Sequence, residues 1–133
     1  MQGQMFMLGA QRGRIRLAGA DTGHTLAVVE VESPAGQAAP WHVHHRDDET
    51  FYVLDGEIDL HVGDATARVE AGGLAHAPKG IPHTLTVVSE TARWLVVCTP
   101  AGFERFALAA AADPARIAEL AQQHGMQILE AAP

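Results

Sequence analysis

Cysteine is almost missing from this chain of 133 residues: Cys98 stands alone, so no disulfide can close within it. Cys98 sits in the apolar run WLVVC, away from the basic neighbours that activate a thiol, and reads as a small buried hydrophobe. Basic residues are also few and scattered, nine against sixteen acidic ones. The resulting net charge of −7 argues against a nucleic-acid partner, which needs clustered Lys and Arg to neutralise phosphates, and equally against a membrane surface. No apolar run nears the roughly 20 residues of a membrane span. The opening MQGQMFMLGA has neither the basic start nor the apolar stretch of a signal peptide, so a cytoplasmic location is expected. Fixed-period repeats and low-complexity linkers are missing too, which leaves one compact domain as the expectation.

What is present is a 47% hydrophobic composition with 13 glycines and seven prolines, as in a soluble, turn-rich globular chain. Apolar or alternating runs bounded by Gly, Pro and Asp follow one another: RIRLAG, HTLAVVEVES, ETFYVLDG, EIDLHVGD, ATARVEAG, LAHAPKG, HTLTVVSE and ARWLVVCTP. No helical pattern separates them, so they predict an all-β antiparallel sandwich or barrel. After TPAG the texture changes to FERFALAAAADPARIAELAQQHG, rich in Ala, Leu, Glu and Gln at helical spacing. Asp113 and Pro114 suit an N-cap and first helical residue, Ile117, Leu120 and Ala121 form one apolar stripe, and Gly125 suits the C-terminal cap. The expected division is a β-barrel over 1–102 and a helical tail over 103–133, packed on the outside of the barrel or at its mouth within the same domain.

The densest chemistry lies in PWHVHHRDDET, residues 40–50, with three of the eight histidines and three carboxylates. If HVHH begins a strand, His42 and His44 share one face about 6–7 Å apart, with Val43 and His45 opposite. RDDE has the make-up of a turn, and ETFYVLDG is the returning strand, which puts Glu49, Phe51 and Val53 on one face and offers a carboxylate to the histidine pair across a hairpin. Far along the chain, PKGIP turns into a strand opened by His83, with Leu85 and Val87 on the same face. Three neutral imidazoles and one carboxylate suit one divalent first-row metal ion (iron, manganese, cobalt, nickel, copper or zinc), whereas calcium and magnesium prefer oxygen.

The spacing also carries a family resemblance. Five residues separate Gly36 from His42, then come Val43, His44, four residues, Glu49, six residues and Gly56; this is similar to the first signature motif of the cupin superfamily. Five residues separate Gly72 from Pro78, and Lys79, Gly80, two residues and His83 follow, which resembles the second. Val87 stands where many cupins have Asn, and a more apolar cavity is the expected consequence. The resemblance implies a double-stranded β-helix (jelly-roll) barrel, usually homodimeric, with the metal held by His42, His44, Glu49 and His83. HVHHRDDETFYVLDGE and the tail GFE…DPARIAELAQQHGM look most like the small single-domain members described as quercetin 2,3-dioxygenase-like.

Three functions fit these residues. In a metal-dependent dioxygenase, Glu49 takes a proton from an enol or phenol whose aromatic or enolisable body rests on apolar walls, with Phe51, Val53, Leu85 and Val87 as the expected lining, and dioxygen reacts beside it. The same ligands serve a non-redox isomerase, lyase or cyclase, and a small-molecule binder without turnover is the third reading. His45 is expected to be exposed or to support the ligands. Asp47 and Asp48 are expected as solvated turn residues. His24, His61, His76 and His124 are expected outside the site, and Trp41 and Trp94 as packing residues.

Overall fold

The computed structural model describes residues 1–133. In chain order it contains β1 (Met5–Leu8), β2 (Gln11–Leu17), β3 (Ala27–Gln37), β4 (His42–His44), β5 (Asp48–Asp55), β6 (Glu57–Val62), β7 (Ala65–Glu70), β8 (Leu74–Ala77), β9 (His83–Thr99), α1 (Phe103–Ala112), α2 (Ile117–Gln123) and β10 (Met126–Ile128). The ten strands belong to one sheet, every pairing is antiparallel, and the sheet curls into an all-β jelly-roll barrel.

Period-two alternation builds the wall. In β5, Glu49, Phe51 and Val53 are buried while Tyr52 is exposed. In β9 the buried apolar and imidazole positions are His83, Leu85 and Val87 at one end, with Thr84 also buried, and Ala92, Trp94, Val96 and Cys98 at the other, so inward positions change from odd to even along one strand. The change happens at a bulge: Val87 faces Gly36 and Thr91 faces Pro34, so β9 spends Val88, Ser89 and Glu90 where β3 spends one residue. A bulge bends a strand pair and raises its twist. HTLTVVSE and ARWLVVCTP, expected as two strands, are therefore one strand that turns a corner and serves two walls. Residues 83–87 pair with β6, and residues 93–99 pair with β5. Gly56 is required at this corner, because its φ is +80° and a Cβ there would lie 2.4 Å from the Thr91 carbonyl oxygen.

Eighteen buried residues fill the interior, among them Ile15, Val29, Val53, Ile58 and Leu60. Each such side chain contributes about 1.5–3 kcal/mol by leaving water. The tail has a smaller core of its own, made of Phe106, Ala110, Leu120, Ala121 and Met126. The fully buried Glu104 carboxylate ties α1 to the barrel, accepting the backbone N–H groups of Gly19 and Gly102 at 2.7 Å each.

The tail departs from the helical expectation at two places. Asp113 makes no side-chain capping bond, and the chain passes through a 3-10 turn at Pro114–Arg116 before α2. Beyond α2, Gly125 at φ +75° stops the helix, and Met126–Ile128 alternates apolar, polar, apolar as strand β10. That strand pairs with β4, setting Met126 opposite His44 and Ile128 opposite His42. No helix is long and apolar enough to cross a membrane.

Candidate metal centre

β4 places His42 and His44 on one face by alternation, and its register with β9 sets His42 directly opposite His83. The three rings lie close together, with centroids 4.4 Å apart for His42 and His83, 5.0 Å for His42 and His44, and 5.4 Å for His44 and His83. Glu49 arrives by a route the sequence did not suggest. β4 and β5 form no hairpin ladder; β5 pairs with β8 and β9, so the carboxylate reaches the histidines across the barrel interior. The physical reason is that Arg46 and Asp47 carry the chain away from β4, whose free edges are taken by β9 and β10. Glu49 Oε1 ends 3.0 Å from His83 Nε2 and 3.1 Å from His44 Nε2. Ligand atoms from His42, His44, Glu49 and His83 all lie within 4.8 Å of one another.

Two of the three rings are oriented by fixed acceptors. His42 Nδ1–H donates to the Pro40 carbonyl at 2.8 Å, which leaves Nε2 as its lone-pair nitrogen. His44 Nδ1–H donates to Asp47 Oδ1 at 3.1 Å. Asp47 is thus no solvated turn residue: it is 7% exposed, held inside by this bond, and fixes the His44 tautomer as carboxylates behind ligating histidines do. His44 Nε2 is buried with no hydrogen-bond partner, and so is His83 Nδ1. A buried lone pair left without a donor is costly. That orphaned His44 nitrogen, facing two further imidazoles and a carboxylate, fits a divalent first-row metal ion.

The charges of His42 and Glu49 agree with that fit. Burial, then the neighbouring His83 and His44, pushes the His42 pKa down from 6.5 to about 4, so the ring is neutral near pH 7. Burial alone would raise the Glu49 carboxyl, but His44, then the hydrogen bond and charge of His83, outweigh it and hold it at about 2. Burial likewise disfavours a charged His44, yet Glu49 and Asp47 together raise its pKa.

One neighbour escaped the sequence reading in part. Cys98 is fully buried, as expected, but it is also the cross-strand partner of Glu49, and its thiol donates to Glu49 Oε2 at 3.6 Å. Burial, followed by the Glu49 charge, raises its pKa well above the usual range, so it stays a thiol. The alternation of WLVVCT marks Cys98 as inward-facing, but only the β5–β9 register puts it beside Glu49.

Of the four residues expected to line a pocket, Phe51 and Leu85 border a cavity near the cluster. A cavity of about 50 Å³ beside His42, Glu49 and His83 is walled by Phe51, Leu85, Trp94 and Val96 among others. Val53 and Val87 do not reach it. They are packed in the core at 0% and 2% exposure, and Trp94, the cross-strand partner of Val53, borders the cavity instead. Trp94 therefore packs and lines at once. His45 is exposed and its backbone N–H donates to the Gly125 carbonyl. Asp48 accepts the Lys79 N–H, while His61, His76 and His124 bond to threonines or to a helix carbonyl away from the cluster. Trp41 is half-buried beside His61.

A family model described as "Cupin domain" matches residues 29–98, more than half of the chain. The chain is 29% identical over 105 residues to the quercetin 2,3-dioxygenase of Bacillus subtilis (strain 168); this covers 79% of the chain and 31% of that enzyme, so the chain spans about a third of its length. Among solved structures, the polyketide cyclase RemF from Streptomyces resistomycificus is 27% identical with a TM-score of 0.62, covering 72% of each chain. KdgF from Halomonas sp. is 17% identical with a TM-score of 0.68, covering 77% of this chain and 92% of that one, and this likeness speaks to the fold alone.

Proposed function

The chain belongs to the cupin family, and on that footing we propose that it is a metal-dependent dioxygenase acting on a small molecule with an enol or phenol oxygen on an aromatic or enolisable body. The observation that carries the reading is the convergence of His42, His44, Glu49 and His83 at one end of an apolar barrel, with a buried His44 nitrogen lacking any other partner. The similarity to quercetin 2,3-dioxygenase supports the choice of chemistry. A divalent first-row metal held by these four residues would supply Lewis acidity toward the substrate oxygen and, if redox-active, electron transfer toward dioxygen.

The protein groups have separable tasks. Asp47 and the Pro40 carbonyl hold the His44 and His42 rings by their Nδ1 hydrogens, so neither ring must reorient during turnover. Glu49 is anionic near pH 7 and accepts the proton of the substrate hydroxyl, while the Cys98 thiol steadies Oε2. Phe51, Leu85, Trp94 and Val96 keep bulk water from the resulting electron-rich carbon. A homodimer belongs to the same proposal; β1 is a sheet edge bearing exposed Met5 and Met7, a surface that suits pairing with a second copy.

A second reading is favoured by the RemF similarity: a non-redox cyclase or isomerase in which the metal serves as Lewis acid alone. Elemental analysis of the purified protein and oxygen uptake with flavonols and enolisable diketones separate the two. Iron, manganese, cobalt, nickel or copper together with oxygen consumption supports the dioxygenase; zinc with product but no oxygen uptake supports the cyclase. In either case Glu49→Gln is expected to keep part of the metal and to lower kcat by about 10²–10⁴-fold, the usual worth of a positioned proton acceptor. Normal turnover in that variant would remove Glu49 from the chemistry.

A further inference from the structure

We infer that the site has two chambers, and that the C-terminal tail builds the outer one to receive the apolar body of the substrate, one ring in size. This rests on the proposed metal centre and adds the part of the substrate that the centre does not touch. The inner cavity of about 50 Å³ is too small for a ring; a water needs roughly 10–15 Å³ of such space, whereas benzene fills an apolar cavity of roughly 150 Å³. The inner chamber therefore takes the ligating oxygen and a few small molecules, and the substrate body must rest elsewhere.

A second cavity of about 180 Å³ adjoins it, sharing Gln11, Ala38, Ala39 and His42 with the inner one. Leu8 from the barrel and Phe103, Ile117, Met126 and Ile128 from the tail give it an apolar lining. The tail is held in this place by its own bonds. β10 is laddered to the strand that carries two of the ligands, and Ile128 is the cross-strand neighbour of His42. Directly opposed residues in an antiparallel pair project to the same face, so Ile128 extends the face on which His42 stands. In the shared neck, the Gln11 side-chain amide donates to the Ala38 carbonyl and is the polar side chain beside His42. An oxygen-bearing ring lying against Phe103, Ile117 and Ile128 can thus pass its oxygen by His42 toward the centre. A flavonol has more rings than the chamber encloses, and a monocyclic phenol or enol fits it better.

Hydroxamates on the cobalt-loaded protein read this directly. Benzohydroxamate is expected to bind roughly tenfold or more tighter than acetohydroxamate, as burial of a ring implies, and 4-phenylbenzohydroxamate no more than about twofold tighter again. Ile117→Trp, a half-buried position on α2, is expected to erase the ring's gain and leave acetohydroxamate binding unchanged. Equal affinity for the first two probes, or a tenfold further gain for the two-ring probe, would overturn the inference. A metal-free arm separates it from the proposed function: titration with benzyl alcohol should shift the methyl NMR signals of Ile117, Met126 and Ile128. Failure to load any metal defeats the proposed function and leaves this arm to decide the chamber; methyl shifts confined to other residues defeat the chamber while the metal centre stands.

Discussion

The two ends of the barrel interior are made by the same strands and have opposite chemistry. At one end β5 and β9 present Glu49, His83 and Cys98; four residues further on, the same faces present Val53 and Val87, packed with Ile58. The apolar end leaves no buried side-chain nitrogen or oxygen unpaired, whereas the buried orphans, His44 Nε2, Asp47 Oδ2 and His83 Nδ1, all lie at the other. The candidate ligands and the packing residues are thus separated along a few residues of strand. The polar end spends desolvation on buried groups that lack a hydrogen-bond partner, and the far end supplies the burial that keeps the barrel closed.

Substitutions at the two ends should break apart in opposite ways. The largest effect is expected from His42→Ala or His83→Ala, each lowering bound metal per chain by most of its value while the metal-free fold persists; elemental analysis with circular dichroism checks both, and full metal content in both variants would refute their place as ligands. Ile58→Ala at the closed end should reverse the pattern, costing about 2–5 kcal/mol in denaturant unfolding because it opens a cavity, with metal per chain unchanged. Asp47→Ala sharpens the contrast at the ligand end: it leaves all four donors and frees the His44 ring, so metal affinity in a chelator competition should fall about 10–100-fold.

The smallest effect is the pH dependence of the metal-free protein. The folded-state pKa of His42, about 4, lies below its ordinary 6.5, so the unfolded chain binds more protons between these values and stability falls as pH drops through them. The raised His44 acts above 6.5, where its contribution is lost as pH rises through its folded value, so the two histidines do not cancel and together favour an optimum of stability near pH 6.5. Glu49, at about 2 against 4.5, contributes fully above pH 4.5 and progressively less toward pH 2. Denaturant midpoints of wild type and Glu49→Gln should therefore converge as pH falls through that window, and a constant difference would show that Glu49 has no depressed pKa.

Much of this molecule was legible in order along the chain. HVH, ETFYV and HTLTV carry their donors in alternation, and alternation is a property of a strand by itself, so His42, His44, Glu49 and His83 could be named before any partner strand was known. The tail was less legible. PARIAELAQQHG has helical spacing and forms a short helix, but MQI is only three residues, too short for a periodic signal, and becomes a strand because β4 offers it a free edge. The closed end differs in another way: Val53 and Val87 share the face of Glu49 and His83 by parity, yet four residues further along their strands they are packed in the core, and Trp94 borders the cavity.

The sequence by itself determined the candidate donors, the apolar faces that close around them and the family to which both belong, since these depend on residue type and on spacings within single strands. The tertiary structure alone decided that Glu49 crosses the interior to meet the histidines, that Cys98 and Asp47 stand behind the donors, and that Ile128 lies beside His42. Those adjacencies come from strand register and from the bulge in β9, where a shift of one residue would turn every side chain to the other face, and no local pattern records them.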